Sequence, residues 1–235
     1  MKKILGLVLS AVLSTTAMAE EPIIIIGASY ANASTPINDN LDAPLGGISV
    51  GLGSFLSLGN GLVRNRSLSG HVINEAQAGA TTFDRMACNP DCTPDVMWQG
   101  YDKQLTKALA RVTARDPVTG EIAVLNAKYV VIALPNDCLH SDAFGVPQSE
   151  TSMCTTQQMN ESADRLIAVG QRIVDLGLTP IYPIPPTYEQ LDLELFYTMF
   201  GLHWAADKAN YDELVSIRTA RIEAELPDAV QLNAW

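Results

Sequence analysis

Residues 23–29 read Ile23-Ile24-Ile25-Ile26-Gly27-Ala28-Ser29. Four consecutive β-branched side chains leave no polar face, which is the pattern of a strand buried on both sides, as in a parallel sheet. The same pattern returns at Lys128–Leu134 (KYVVIAL) and Thr179–Ile184, and His71–Asn74 fits a further short strand. Helical spacing fills the intervals. Val96–Arg115 carries Leu105, Leu109 and Val112, and Thr155–Gly177 carries Leu166, Val169, Ile173 and Leu176, with Gly177 as its stop. Asp207–Leu226 places Tyr211, Leu214, Ile217, Arg221 and Glu225 on successive turns, widened by Val215, Ile222 and Leu226. Pro44–Gly61 reads as a glycine-rich loop with a short helix, and Pro183, Pro185 and Pro186 predict an extended loop. Strands alternating with helices predict an α/β fold, a mainly parallel central sheet with helices on both faces.

The first nineteen residues have the three parts of a secretory signal. Lys2 and Lys3 supply the charge, Ile4–Leu13 the apolar stretch, and Ala17-Met18-Ala19 the small-residue cleavage site. The apolar stretch is shorter than the roughly 20 residues a spanning helix needs, and no later run is longer. The expectation is an exported, periplasmic or secreted protein without stable membrane insertion, with residues 20–235 as one domain. The net charge of −11 argues against nucleic acid as a partner, because phosphate backbones demand basic patches. An acidic surface otherwise serves solubility. Four cysteines in an exported chain suggest two disulfides, for which Cys88–Cys92 and Cys138–Cys154 each close one loop. A zinc site from Cys88, Cys92, Cys138 and His140 is the alternative, though neither spacing matches the two-residue gap of structural zinc ligands. Neither a metal nor a cofactor is expected.

Ligands of open α/β sheets bind beyond the carboxyl ends of the strands. The residues there are Gly27-Ala28-Ser29-Tyr30, then Asn74-Glu75-Ala76-Gln77-Ala78-Gly79-Ala80-Thr81, then Pro135-Asn136-Asp137, and finally Gly201-Leu202-His203-Trp204. A serine, a glycine, an asparagine and a histidine are thus expected at one rim. A serine hydroxyl becomes a nucleophile when a histidine takes its proton. The oxyanion that follows needs donors already in place, and the N–H groups of Ser29 and Gly79 with the Asn136 amide would supply three.

These four segments, in this order across residues 23 to 211, resemble the signature blocks of the SGNH/GDSL hydrolases. The resemblance implies a three-layer flavodoxin-like fold and esterase activity. It implies Ser29 as nucleophile, His203 as base, and Ser29, Gly79 and Asn136 as the oxyanion hole. The sequence departs from the family pattern at three places. Ala28 stands for the aspartate before the serine, Leu134 for the glycine two before Asn136, and Phe200 for the acid three before His203. The partner of His203 is therefore open among the Phe200 carbonyl, Asp192 and Asp207.

Each residue also has a structural reading. Ser29 serves as a helix cap, Gly79 as a turn glycine and Asn136-Asp137 as a turn pair. His71 and His140 compete with His203 for the basic role, and Tyr30 and Trp204 are candidate apolar walls. The expected substrates are short-chain acyl esters, acetylated glycans or lysophospholipids. A carbohydrate-binding module without catalysis is the second hypothesis. A nucleotide-binding protein is disfavoured, since neither G-x-G-x-x-G nor G-x-x-x-x-G-K-[ST] occurs.

Overall fold

The computed structural model describes residues 22–28, 31, 72–77, 79–88, 92–124, 127–139, 153–194, 197 and 206–233. The expected leader (residues 1–19) and the Pro44–Gly61 segment lie outside them. The β-branched run forms β1 (Ile23–Ile26), with Ile24, Ile25 and Ile26 all fully buried. Then follow β2 (Val72–Asn74), β3 (Arg85–Cys88), β4 (Cys92–Trp98), α1 (Tyr101–Leu109), β5 (Thr113–Arg115), β6 (Ile122–Val124) and β7 (Tyr129–Ile132). The chain continues through α2 (Thr156–Asp175), β8 (Thr179–Ile184), a 3-10 turn at Tyr188–Gln190, α3 (Lys208–Glu225) and β9 (Val230–Asn233).

Five strands form one sheet in the order β2-β1-β7-β8-β9, and every pairing is parallel. Numbered within the sheet, that order is 2-1-3-4-5, the doubly wound arrangement whose strand order reverses between β1 and β7. Register is fixed by Ile23 opposite both Val72 and Tyr129, and by Tyr129 opposite Thr179. Alternate residues of β1 and β7 enter different cores. Ile24, Ile26, Val130 and Ile132 pack with Leu105 and Leu109 of α1, Leu166, Val169 and Ile173 of α2, and Ile222 of α3. Ile25 and Val131 pack on the opposite face with Ala31, Ala76 and Ala133. Both faces of the sheet are covered, as expected for an α/β three-layer fold.

Several elements depart from the sequence-based expectation. The helix expected over Val96–Arg115 is only nine residues long, and its ends belong to β4 and β5. Gly100 explains the start: a Cβ there would fall 2.7–2.9 Å from the main chain of Phe83 and Asp84, so the chain crosses that backbone before it coils. The buried stripe of α3 is Tyr211, Leu214, Arg218 and Ile222, whereas Arg221 and Glu225 form an exposed ion pair four residues apart. The hairpins β3–β4 and β5–β6 and the edge strand β9 were not anticipated.

Two prolines sit within β8, an interior strand. Their missing N–H groups cost the ladder little, because neighbours in a parallel strand are served alternately. Pro180 faces the β9 side just before that ladder opens at Ile181, and Pro183 faces the β7 side beyond its last pairing, also at Ile181.

Cys138 and Cys154 form the expected disulfide. It takes Cys138 out of the zinc alternative, and no cluster of metal-ligating side chains occurs among the described residues. Cys88 and Cys92 stand opposite one another in the β3–β4 register. Their side chains lie outside the described set. The Cys138–Cys154 bond ties the turn after β7 to the start of α2, where Thr155 and Gln158 make a reciprocal capping box. Crosslinks closing loops of about 15 residues stabilise by about 3 kcal/mol through the unfolded chain, and here the separation is 16 residues. Cys138→Ser is expected to lower the urea-unfolding free energy by about that amount; a loss below about 0.5 kcal/mol would show that the bond constrains little. No described helix is long and apolar enough to cross a membrane.

Candidate active site at the carboxyl edge of the sheet

Three of the four sequence segments meet at the rim, joined main chain to main chain. Leaving β2, Glu75 N–H donates to the Ile25 carbonyl at 3.0 Å and Gln77 N–H to the Gly27 carbonyl at 3.0 Å. Leaving β7, Ala133 N–H donates to the Ile26 carbonyl at 2.9 Å, and Asn136 N–H to the Ala80 carbonyl at 3.3 Å. The turn after β1, the segment through Gly79 and the turn at Asn136 thus form one bonded surface over the switch point. Ser29 and His203 lie outside the described residues, as do Tyr30, His71, His140, Phe200 and Trp204.

Glycine is required at two rim positions. Gly27 has φ +154°, and a Cβ there would sit 2.7 Å from that of Ala133. Gly79 has φ +84°, and a Cβ there would fall 2.5–2.7 Å from the Trp98 ring. The β3–β4 hairpin closes over Gly79: Arg85 stacks on Trp98 with its guanidinium carbon 4.3 Å from the ring centroid and donates to the Gly79 carbonyl at 2.8 Å. Burial pushes the Arg85 guanidinium down to about 10, against the nearby Asp137 charge, so it stays protonated at neutral pH. The sequence reading missed both Arg85 and Trp98.

Asn136 is 7% exposed, and its Nδ2 is enclosed with no hydrogen-bond acceptor among the described residues. Beside it, Asp137 is wholly buried and anchors the turn. Its carboxylate accepts from Thr82 N–H at 2.8 Å, Thr82 Oγ1 at 2.5 Å and Ser162 Oγ at 2.8 Å, and Arg165 Nη2 stands 3.6 Å away. Arg218 donates to the Asp137 carbonyl and to Ser162 Oγ, each at 3.0 Å. Burial holds the Arg218 guanidinium below its ordinary value, and Asp137 is the chief influence opposing that. Asn136-Asp137 is therefore more than a turn pair, since the second residue is locked into α2 and α3.

On the other side of the rim, buried Glu75 pairs with Arg111 at 2.7 Å and Lys107 at 3.4 Å. Asn74 donates to the Ala31 carbonyl at 2.7 Å and accepts from Ala76 N–H. Of the acids considered for His203, Asp207 caps α3 by accepting from Asn210 N–H at 2.8 Å. Tyr211 is a core residue: its ring meets Tyr188 and its hydroxyl donates to the Pro186 carbonyl. Pro183 and Pro185 line a small cavity with Leu134, Pro135 and Arg218.

No model of a known protein family matches this sequence, and no curated protein matches it.

Proposed function

We propose that the chain is a serine hydrolase of carboxylic esters. Ser29 Oγ attacks the ester carbonyl as His203 takes its proton, and the carbonyl oxygen becomes an oxyanion held by Ser29 N–H, Gly79 N–H and Asn136 Nδ2. The C–O bond breaks as His203 returns the proton to the alcohol, leaving an acyl-serine. Water activated by the same imidazole releases the acid. The observation that carries this reading is the enclosed Asn136 Nδ2, which has no acceptor among the described residues. An unsatisfied buried donor costs about 1–3 kcal/mol, and such groups call for an explanation. A donor reserved for an oxygen that arrives with the substrate provides one.

Short-chain acyl esters, acetylated glycans and lysophospholipids are the substrate classes that fit an exported enzyme of this kind. Hydrolysis of p-nitrophenyl acetate through p-nitrophenyl dodecanoate, run beside acetylated sugars, separates them. Asn136→Ala is expected to lower kcat by about 10²–10³-fold with little change in KM, because the donor acts on the transition state. Equal kcat in the folded variant would remove Asn136 from the oxyanion hole.

A carbohydrate-binding module on the same fold is the second reading. It is favoured by Phe200 in place of an acid and by the engagement of Asp207 as a helix cap. A fluorophosphonate separates the two: a hydrolase is labelled at Ser29, and a binding module is not labelled.

A further inference from the structure

Gln104 is a polar residue within the apolar stripe of α1, between Tyr101 and Ala108, and it is fully buried. Its side chain bonds only main-chain groups. Oε1 accepts from Gly27 N–H at 2.7 Å, and Nε2 donates to the Gly27 carbonyl at 3.1 Å and the Gln99 carbonyl at 2.9 Å. A donor on one side and two carbonyls on the other permit a single orientation of the amide. Gly27 follows the last residue of β1; its carbonyl also accepts from Gln77 N–H, but its N–H would otherwise need a partner. Gln104 supplies the acceptor for that N–H and a second donor to the carbonyl. One turn earlier, Tyr101 Oη donates to the Ala133 carbonyl at 3.0 Å. The first turn of α1 therefore holds the exits of both β1 and β7.

We infer that Gln104 is a positioning residue for the nucleophile, fixing the peptide two residues before Ser29 and so the direction in which Ser29 leaves the strand. The inference rests on the hydrolase reading above. A leucine at 104 would suit the apolar stripe but would strip the Gly27 N–H of its acceptor and leave the Gly27 carbonyl with Gln77 N–H alone. Misplacing a reacting group by about 1 Å costs on the order of 10²-fold in rate.

The test compares wild type, Gln104→Leu and Gln104→Glu by the second-order rate of fluorophosphonate labelling and by kcat and KM on p-nitrophenyl acetate. Circular dichroism is used to choose a temperature at which all three are folded. Both variants are expected to label about 10²-fold more slowly and to lose kcat by a similar factor, with KM within about threefold. Gln104→Glu changes one atom and carries a second readout that packing alone would not produce. Its carboxylate faces two carbonyls when ionised, whereas the protonated acid again offers an O–H to one of them. Its rate relative to wild type at the same pH is expected to rise as pH falls, and this readout decides if the leucine variant does not fold. Folded variants that label at the wild-type rate, with a flat Gln104→Glu ratio, would overturn the inference and leave the hydrolase reading standing. Failure of the wild type to label would overturn both.

Discussion

Ser29→Ala is expected to lower kcat for ester hydrolysis by on the order of 10⁶-fold, the loss seen when a serine nucleophile and its histidine act as a unit. The magnitude follows from what remains. Without the hydroxyl there is no acyl-enzyme, and the oxyanion donors can assist only direct attack by water. The same logic makes the losses non-additive. His203→Ala should cost about as much, and the double variant little more than either. KM should change far less, because binding does not require the nucleophile. The decisive measurement is the double-mutant cycle on kcat with a p-nitrophenyl ester. Residual activity of Ser29→Ala above a tenth of wild type, or losses that multiply, would mean that another pair does the chemistry.

Asp137→Ala is expected to destabilise the fold by about 3–5 kcal/mol, the range for removing one member of a buried charged network. The wholly buried carboxylate serves Thr82, Ser162 and Arg165. Without it, the Thr82 N–H loses its acceptor and Arg218, 4% exposed, keeps its charge with the chief compensating one gone. Asp137→Asn should cost less, since an amide oxygen still accepts from Thr82. Urea unfolding at constant m-value provides the comparison. A loss below about 1 kcal/mol for the alanine variant would show that the charges are solvated after all. Because Asn136 precedes Asp137, activity should also fall at temperatures where the variant remains folded.

The sheet was legible because its interior strands are apolar on both faces. Ile23–Ile26, Lys128–Leu134 and Thr179–Ile184 could be read from composition, and the helices from their stripes. The elements that escaped reading lack those signals. β9 is a four-residue edge strand alternating Val230 and Leu232 with Gln231 and Asn233, and β5 is the three-residue run Thr113-Ala114-Arg115, which looks like a helix end.

At the rim, the positions of Gly27, Gly79 and Asn136 followed from the rule that strand exits carry the chemistry. Their supports did not. Gln104, Ser162 and Arg218 look like interruptions in apolar stripes, yet each is a buried residue bonded to a rim segment. A polar side chain at a core-facing helical position is the signal that would have found them, because burial without a partner is costly. Which partner it finds is a tertiary fact that spacing does not contain. The same holds for Asp207, whose place before Lys208 marks a helix cap as readily as a catalytic acid.

The central claim is spatial, and a structure of the protein after reaction with a fluorophosphonate tests it most directly. The account predicts phosphorus bonded to Ser29 Oγ and a phosphonyl oxygen about 2.7–3.1 Å from both Gly79 N and Asn136 Nδ2, with the His203 imidazole beside Oγ. Phosphorus on another residue, or a phosphonyl oxygen turned away from Asn136, would contradict it.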